Sequence, residues 1–100
     1  MQISNVRSKK LARLSQTGDV CGITPTHVPR MLDVIVELRK AKSLKDIPSE
    51  LNLHAFNQYK RRRLPSDQVL WSVKLTAQWR LVFRIDKDSA IRDLDYVQYH

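Results

Sequence analysis

Apolar residues recur every three or four positions between Val28 and Ala41, at Val28, Met31, Leu32, Ile35, Leu38 and Ala41. Arg30, Asp33, Glu37, Arg39 and Lys40 fill the positions between them. This is the period of an amphipathic helix, and it predicts one long helix with an apolar stripe. Pro25-Thr26 reads as its start, with Thr26 as the cap and Pro29 tolerated in the first turn. Upstream, Ile3 and Val6 suit either a short opening strand or the lead into a first helix capped by Ser4 or Asn5. Leu11, Leu14 and the stem of Lys10 share one side of that helix, and Gly18 ends it before a loop from Asp19 to Thr24.

The period changes after Pro48. Leu51, Leu53 and Phe56 alternate with polar neighbours, which suggests a short strand. Val69, Trp71, Val73 and Leu75 then share one face of a strand, and Trp79, Leu81, Phe83 and Ile85 share one face of the next. Thr76-Ala77-Gln78 turns the chain between them, so the pair reads as a hairpin. Asp86 to Ser89 forms a second turn, and Ile91 to His100 a final strand. Helices followed by strands predict one α+β domain over residues 1–100, with two helices packed on an antiparallel sheet of roughly three to five strands. The long helix should cover one sheet face, and His27, at its start, should be exposed. Arg80 and Arg84 should stand on the other face, toward solvent or ligand.

Charge adds a functional direction. Eighteen Lys and Arg oppose ten Asp and Glu, a formal net charge of +8. Such an excess attracts phosphate backbones, so RNA is the expected polyanion. Lys60, Arg61, Arg62 and Arg63 concentrate four cations in one predicted loop, whose mutual repulsion a phosphate chain relieves. Arg80 follows Trp79 inside a strand and can hold a phosphate through two parallel hydrogen bonds, with Arg84 extending the patch. His54 and His100, the latter beside Tyr99, can give or take a proton in phosphodiester cleavage.

Other classes find less support. Cys21 is the only cysteine, which predicts neither an internal disulfide nor a zinc cluster. The two glycines make no phosphate-gripping loop. The acids near the second turn, Asp86, Asp88, Asp93 and Asp95, suit turn chemistry and charge balance against nearby Arg better than a metal site. No apolar run reaches membrane-spanning length, and the first residues carry no signal core, so a cytoplasmic location is expected.

Leu53-His54, the basic loop, Leu70-Trp71-Ser72-Val73, Gln78-Trp79-Arg80-Leu81-Val82-Phe83 and Tyr99-His100 together resemble the HigB branch of the RelE/ParE toxin superfamily. Members typically read Leu-His-Pro-Leu-Lys-Gly, Trp-Ser-Ile and Trp-Arg-Ile-x-Phe, and finish Asp-Tyr-His. The resemblance covers Leu53 to His100 by residue, and the helical half by order and length. It implies the RelE-like microbial ribonuclease fold and the toxin of a type II toxin–antitoxin pair. Such a toxin is an mRNA interferase: an endoribonuclease that needs no metal or cofactor and cuts mRNA in the ribosomal A site. It also implies a HigA-like helix-turn-helix antitoxin as partner, through which the toxin meets operator DNA.

By the same resemblance His54 matches the catalytic-site His, Arg80 the phosphate-stabilising Arg, and Tyr99 and His100 the terminal pair. The residues after His54 are Ala55-Phe56-Asn57-Gln58, so Lys60 or Arg61 stands in for the family Lys from a longer loop. The family Asp before Tyr-His is here Gln98, an amide that cannot act as a base but can bind RNA. Aligning Asp95-Tyr96 with the family Asp-Tyr instead leaves no His after it. Two alternatives stay open: a non-catalytic member of the same fold, either a gyrase poison or an inactive regulator, and a generic RNA-binding module.

Overall fold

The computed structural model describes residues 1–55 and 69–98 of the chain, apart from the His54 side chain. Two helices, α1 (Lys9–Thr17) and α2 (Val28–Lys40), precede four strands. These are β1 (His54–Ala55), β2 (Trp71–Lys74), β3 (Trp79–Ile85) and β4 (Ile91–Gln98), antiparallel and adjacent in chain order. The α+β class is as the pattern predicts.

Helix α1 starts one turn later than expected. Its cap is Ser8, not Ser4 or Asn5: the Ser8 hydroxyl accepts from Leu11 N at 3.2 Å. Residues 2–7 are instead held by β4. Ile3 bridges Ile91 and Val6 bridges Leu94 in parallel, with Ser4 N donating to Ile91 O at 2.7 Å and Arg7 N to Leu94 O at 2.8 Å. These bonds satisfy part of the β4 edge. Gly18 closes α1 in the left-handed conformation (φ 76°), its N–H donating to Leu14 O.

The second helix also begins differently. Pro25–His27 is a single 3-10 turn, and α2 follows with His27 at its cap position and no side-chain cap bond. Thr26 does not cap it. Met31, Val34, Ile35 and Leu38 are buried, whereas Leu32 is 42% exposed. The reason is angular: successive helical residues turn by about 100°, so Leu32 leaves the stripe that Met31, Ile35 and Leu38 define while Val34 joins it. The same rotation puts His27 on the stripe, four residues before Met31.

The core is one cluster. Leu11 and Leu14 of α1 and the α2 stripe meet Val73, Leu81, Phe83, Ile91 and Leu94 of the sheet. Leu51, from a 3-10 turn at Ser49–Leu51, joins the same cluster. Strand β1 therefore begins later than the Leu51–Leu53 alternation predicts, and Phe56 lies outside the described residues.

Strand β4 carries a bulge. Val82 pairs with Asp95 and Arg84 with Arg92, so two β4 residues stand opposite Phe83. Asp93 takes up the extra length at φ 54°. The bulge resets the alternation, which lets Ile91 and Leu94, three residues apart, both reach the core.

Candidate nucleic-acid interface

The register sorts the sheet into two faces. Trp71, Val73, Leu81 and Phe83 stand on the face that meets the helices, since Trp71 pairs with Phe83 and Val73 with Leu81. Ser72 and Lys74 of β2, then Arg80, Val82 and Arg84 of β3, belong to the opposite face. In β1 the His54 position pairs with Ser72, so His54, Ser72, Val82 and Asp95 form one cross-strand row. The next row holds Lys74, Arg80 and Val97.

Arg80 is half-buried, and its Nε and Nη1 atoms are closed to solvent. A guanidinium held against a sheet loses little freedom on meeting an anion, which favours tight phosphate contact. Arg84, expected to extend the cationic patch, stands in a cluster of charges. It faces Arg92 directly across the strands, an unfavourable pairing of like charges that two ion pairs relieve. Arg84 Nη1 lies 3.5 Å from Asp93 Oδ2, and Arg92 Nε donates to Asp86 Oδ2 at 2.7 Å.

Asp86 also shapes the second turn. Its Oδ1 accepts from Asp88 N at 2.9 Å and from Ala90 N at 3.0 Å. The Arg92 hydrogen bond, more than any other contact, holds the Asp86 carboxyl below its ordinary range. Asp86 and Asp93 thus serve turn geometry and charge balance. Among the described residues no cluster of His, Cys, Asp or Glu is placed to hold a metal ion.

At the far end of the sheet, Gln98 is exposed and closes β4 opposite Trp79. Tyr99 and His100 follow it in the chain and lie outside the described residues, as do Lys60, Arg61, Arg62 and Arg63. Of the expected site residues, the structure therefore brings Arg80 and Gln98 to one end of the β3–β4 pair and sets the His54 backbone on β1, with β2 and β3 between it and β4.

No protein-family model matches this chain, and no curated protein matches it significantly.

One polar cluster was not foreseen. His27 is 5% exposed rather than open to solvent. Its Nδ1 lies 2.5 Å from the Tyr96 hydroxyl, and its ring stands edge-on to Tyr96 at 87°. Trp79 packs on Tyr96 with ring centroids 4.6 Å apart and completes the group. Burial raises the Tyr96 pKa, with bonds to Thr24 pulling the other way, so the phenol stays neutral. The sequence did hold a signal: His27 continues the buried stripe of α2.

A groove of about 250 Å³ lies on the outer side of α2, beside Val36, Pro48 and Leu51. Among the described residues, Asp33, Glu37 and Glu50 line it with one cation, Arg30. Its carboxylates would repel an anion such as phosphate. Among the described residues no helix is long and apolar enough to cross a membrane.

Proposed function

We propose that this chain is the toxin of a type II toxin–antitoxin pair, a ribosome-dependent endoribonuclease of the HigB type. The observation that carries the reading is the pairing of Trp79 with Gln98 and of Arg80 with Val97. These two stretches are distant in sequence, and both belong to the HigB resemblance. Side by side, they put Arg80 next to the strand end from which Tyr99-His100 follows in the chain.

The chemistry is transesterification. A base removes the proton of the ribose 2′-hydroxyl, whose oxygen attacks the adjacent phosphorus. The bond to the 5′-oxygen breaks, and an acid returns a proton to that oxygen. The products are a 2′,3′-cyclic phosphate and a 5′-hydroxyl. Arg80 neutralises the charge that builds on the phosphate oxygens, while His54, Tyr99 and His100 exchange the protons. Lys60 to Arg63 and Gln98 hold the RNA strand. The partners are a helix-turn-helix antitoxin and the ribosomal A site with its mRNA.

Induced expression should arrest growth, and primer extension should map cuts in ribosome-bound mRNA. Replacing Arg80 or His100 by Ala should lower the cleavage rate by about 100-fold or more and restore growth. Intact mRNA with broken DNA would favour a gyrase poison, and salt-sensitive RNA binding without cuts or toxicity a plain binding module.

A further inference from the structure

The groove on the outer side of α2 has no part in binding RNA. Its apolar floor comes from Val36, Pro48 and Leu51. Val36 is 49% exposed, and Leu32, one helical turn earlier on the same side of α2, is 42% exposed. The outer face of a surface helix ordinarily carries polar residues. Single exposed apolar residues need no explanation, but these two form a ridge that leads into a concave floor.

Charge gives the groove its second property. The chain carries a net charge of +8, yet Asp33, Glu37 and Glu50 meet here. Arg30 donates from Nη2 to the Glu50 carbonyl at 3.3 Å rather than to a carboxylate. Lys40 reaches Glu37 only at 3.8 Å, in an exposed pair of little strength. Among the described residues Asp33 and Glu50 make no ion pair. Carboxylates gathered at an apolar floor repel one another, and a cation placed among them relieves that repulsion.

The volume sets the size of the occupant. About 250 Å³ falls below the roughly 300–1,000 Å³ of small-molecule pockets. It suits one long cationic side chain, whose methylene stem lies along an apolar surface while its head meets the carboxylates. We infer that this groove docks a segment of a partner protein in which an Arg or Lys stands one helical turn from an apolar residue. The cation enters between Asp33, Glu37 and Glu50, and the apolar residue packs on Leu32 and Val36. The groove belongs to the helical layer, and the inference stands without the nuclease reading.

Fluorescence anisotropy on the full chain tests this with a short labelled helical peptide of alanine that carries Arg and Leu one turn apart. The wild-type chain should bind it. Exchanging the peptide's Arg for Glu, or its Leu for Ala, should weaken binding about tenfold or more. Asp33→Lys and Glu50→Lys should each weaken it by a similar factor with the melting temperature unchanged. Asp88→Lys, which reverses an exposed acid outside the groove, should not. Leu32→Ser should weaken the Arg-Leu peptide but not the Arg-Ala peptide, because the two leucines act as a pair. No binding by the wild-type chain, an equal loss in Asp88→Lys, or binding indifferent to the peptide's Leu overturns the inference. The last result would mark capture of a cation by carboxylates alone.

Discussion

Tyr96 and His27 show how one hydrogen bond decides whether a polar residue enters a core. An imidazole on the buried stripe of α2 is tolerable because the Tyr96 hydroxyl meets its Nδ1. Tyr96→Phe keeps the ring packing against Trp79 and removes that partner. It should cost about 1–2 kcal/mol, the penalty for an unbonded buried donor or acceptor, read from urea denaturation. A loss within error of zero would mean that the bond is idle and that ring packing alone holds the cluster. At the same scale Arg80 and Arg84, two residues apart on one strand, have different fates. Arg84 is half of an ion pair with Asp93 and lies partly open, and Arg80 has its Nε and Nη1 atoms closed to solvent. Alternation assigned both to one face, but the ion pair depends on a bulge, which alternation alone does not predict.

Each element ends where local chemistry and tertiary contacts agree. Gly18 closes α1 at a positive φ, and a Cβ built there meets nothing within 4 Å. The cost of Gly18→Ala is therefore conformational and should be about 1 kcal/mol, visible as a lower melting temperature with an unchanged fold by circular dichroism. This terminus was legible from sequence because a glycine stop signal is local. The starts of α1 and α2 were not. Several Ser, Thr and Asn residues compete for each cap, and pairing with β4 decides that residues 2–7 run alongside the sheet rather than into the helix. Strand alternation located β2 and β3 and their turn. There the Thr76 hydroxyl accepts from Trp79 N at 3.2 Å and tightens the hairpin.

On the scale of the molecule, charge and topology divide the surface. The net charge is +8, and the acids Asp33, Glu37 and Glu50 gather at the α2 groove rather than beside Arg80. If Arg80 and the four cations Lys60 to Arg63 each neutralise a phosphate, the logarithm of RNA affinity should fall with the logarithm of salt at a slope of about −3.5. Titrating RNA binding between low and physiological salt measures that slope. A slope near zero would exclude the basic loop from the interface. The sequence by itself determined the α+β class, the long helix, the hairpin and the basic character, because periodicity and charge are properties of neighbouring residues. Only the tertiary structure decided that His27 is buried, that Arg84 is paired, and that Trp79-Arg80 lies beside the end of β4. Each of these depends on which distant residue arrives opposite, and strand register, a bulge and helix rotation set that only once the chain has folded.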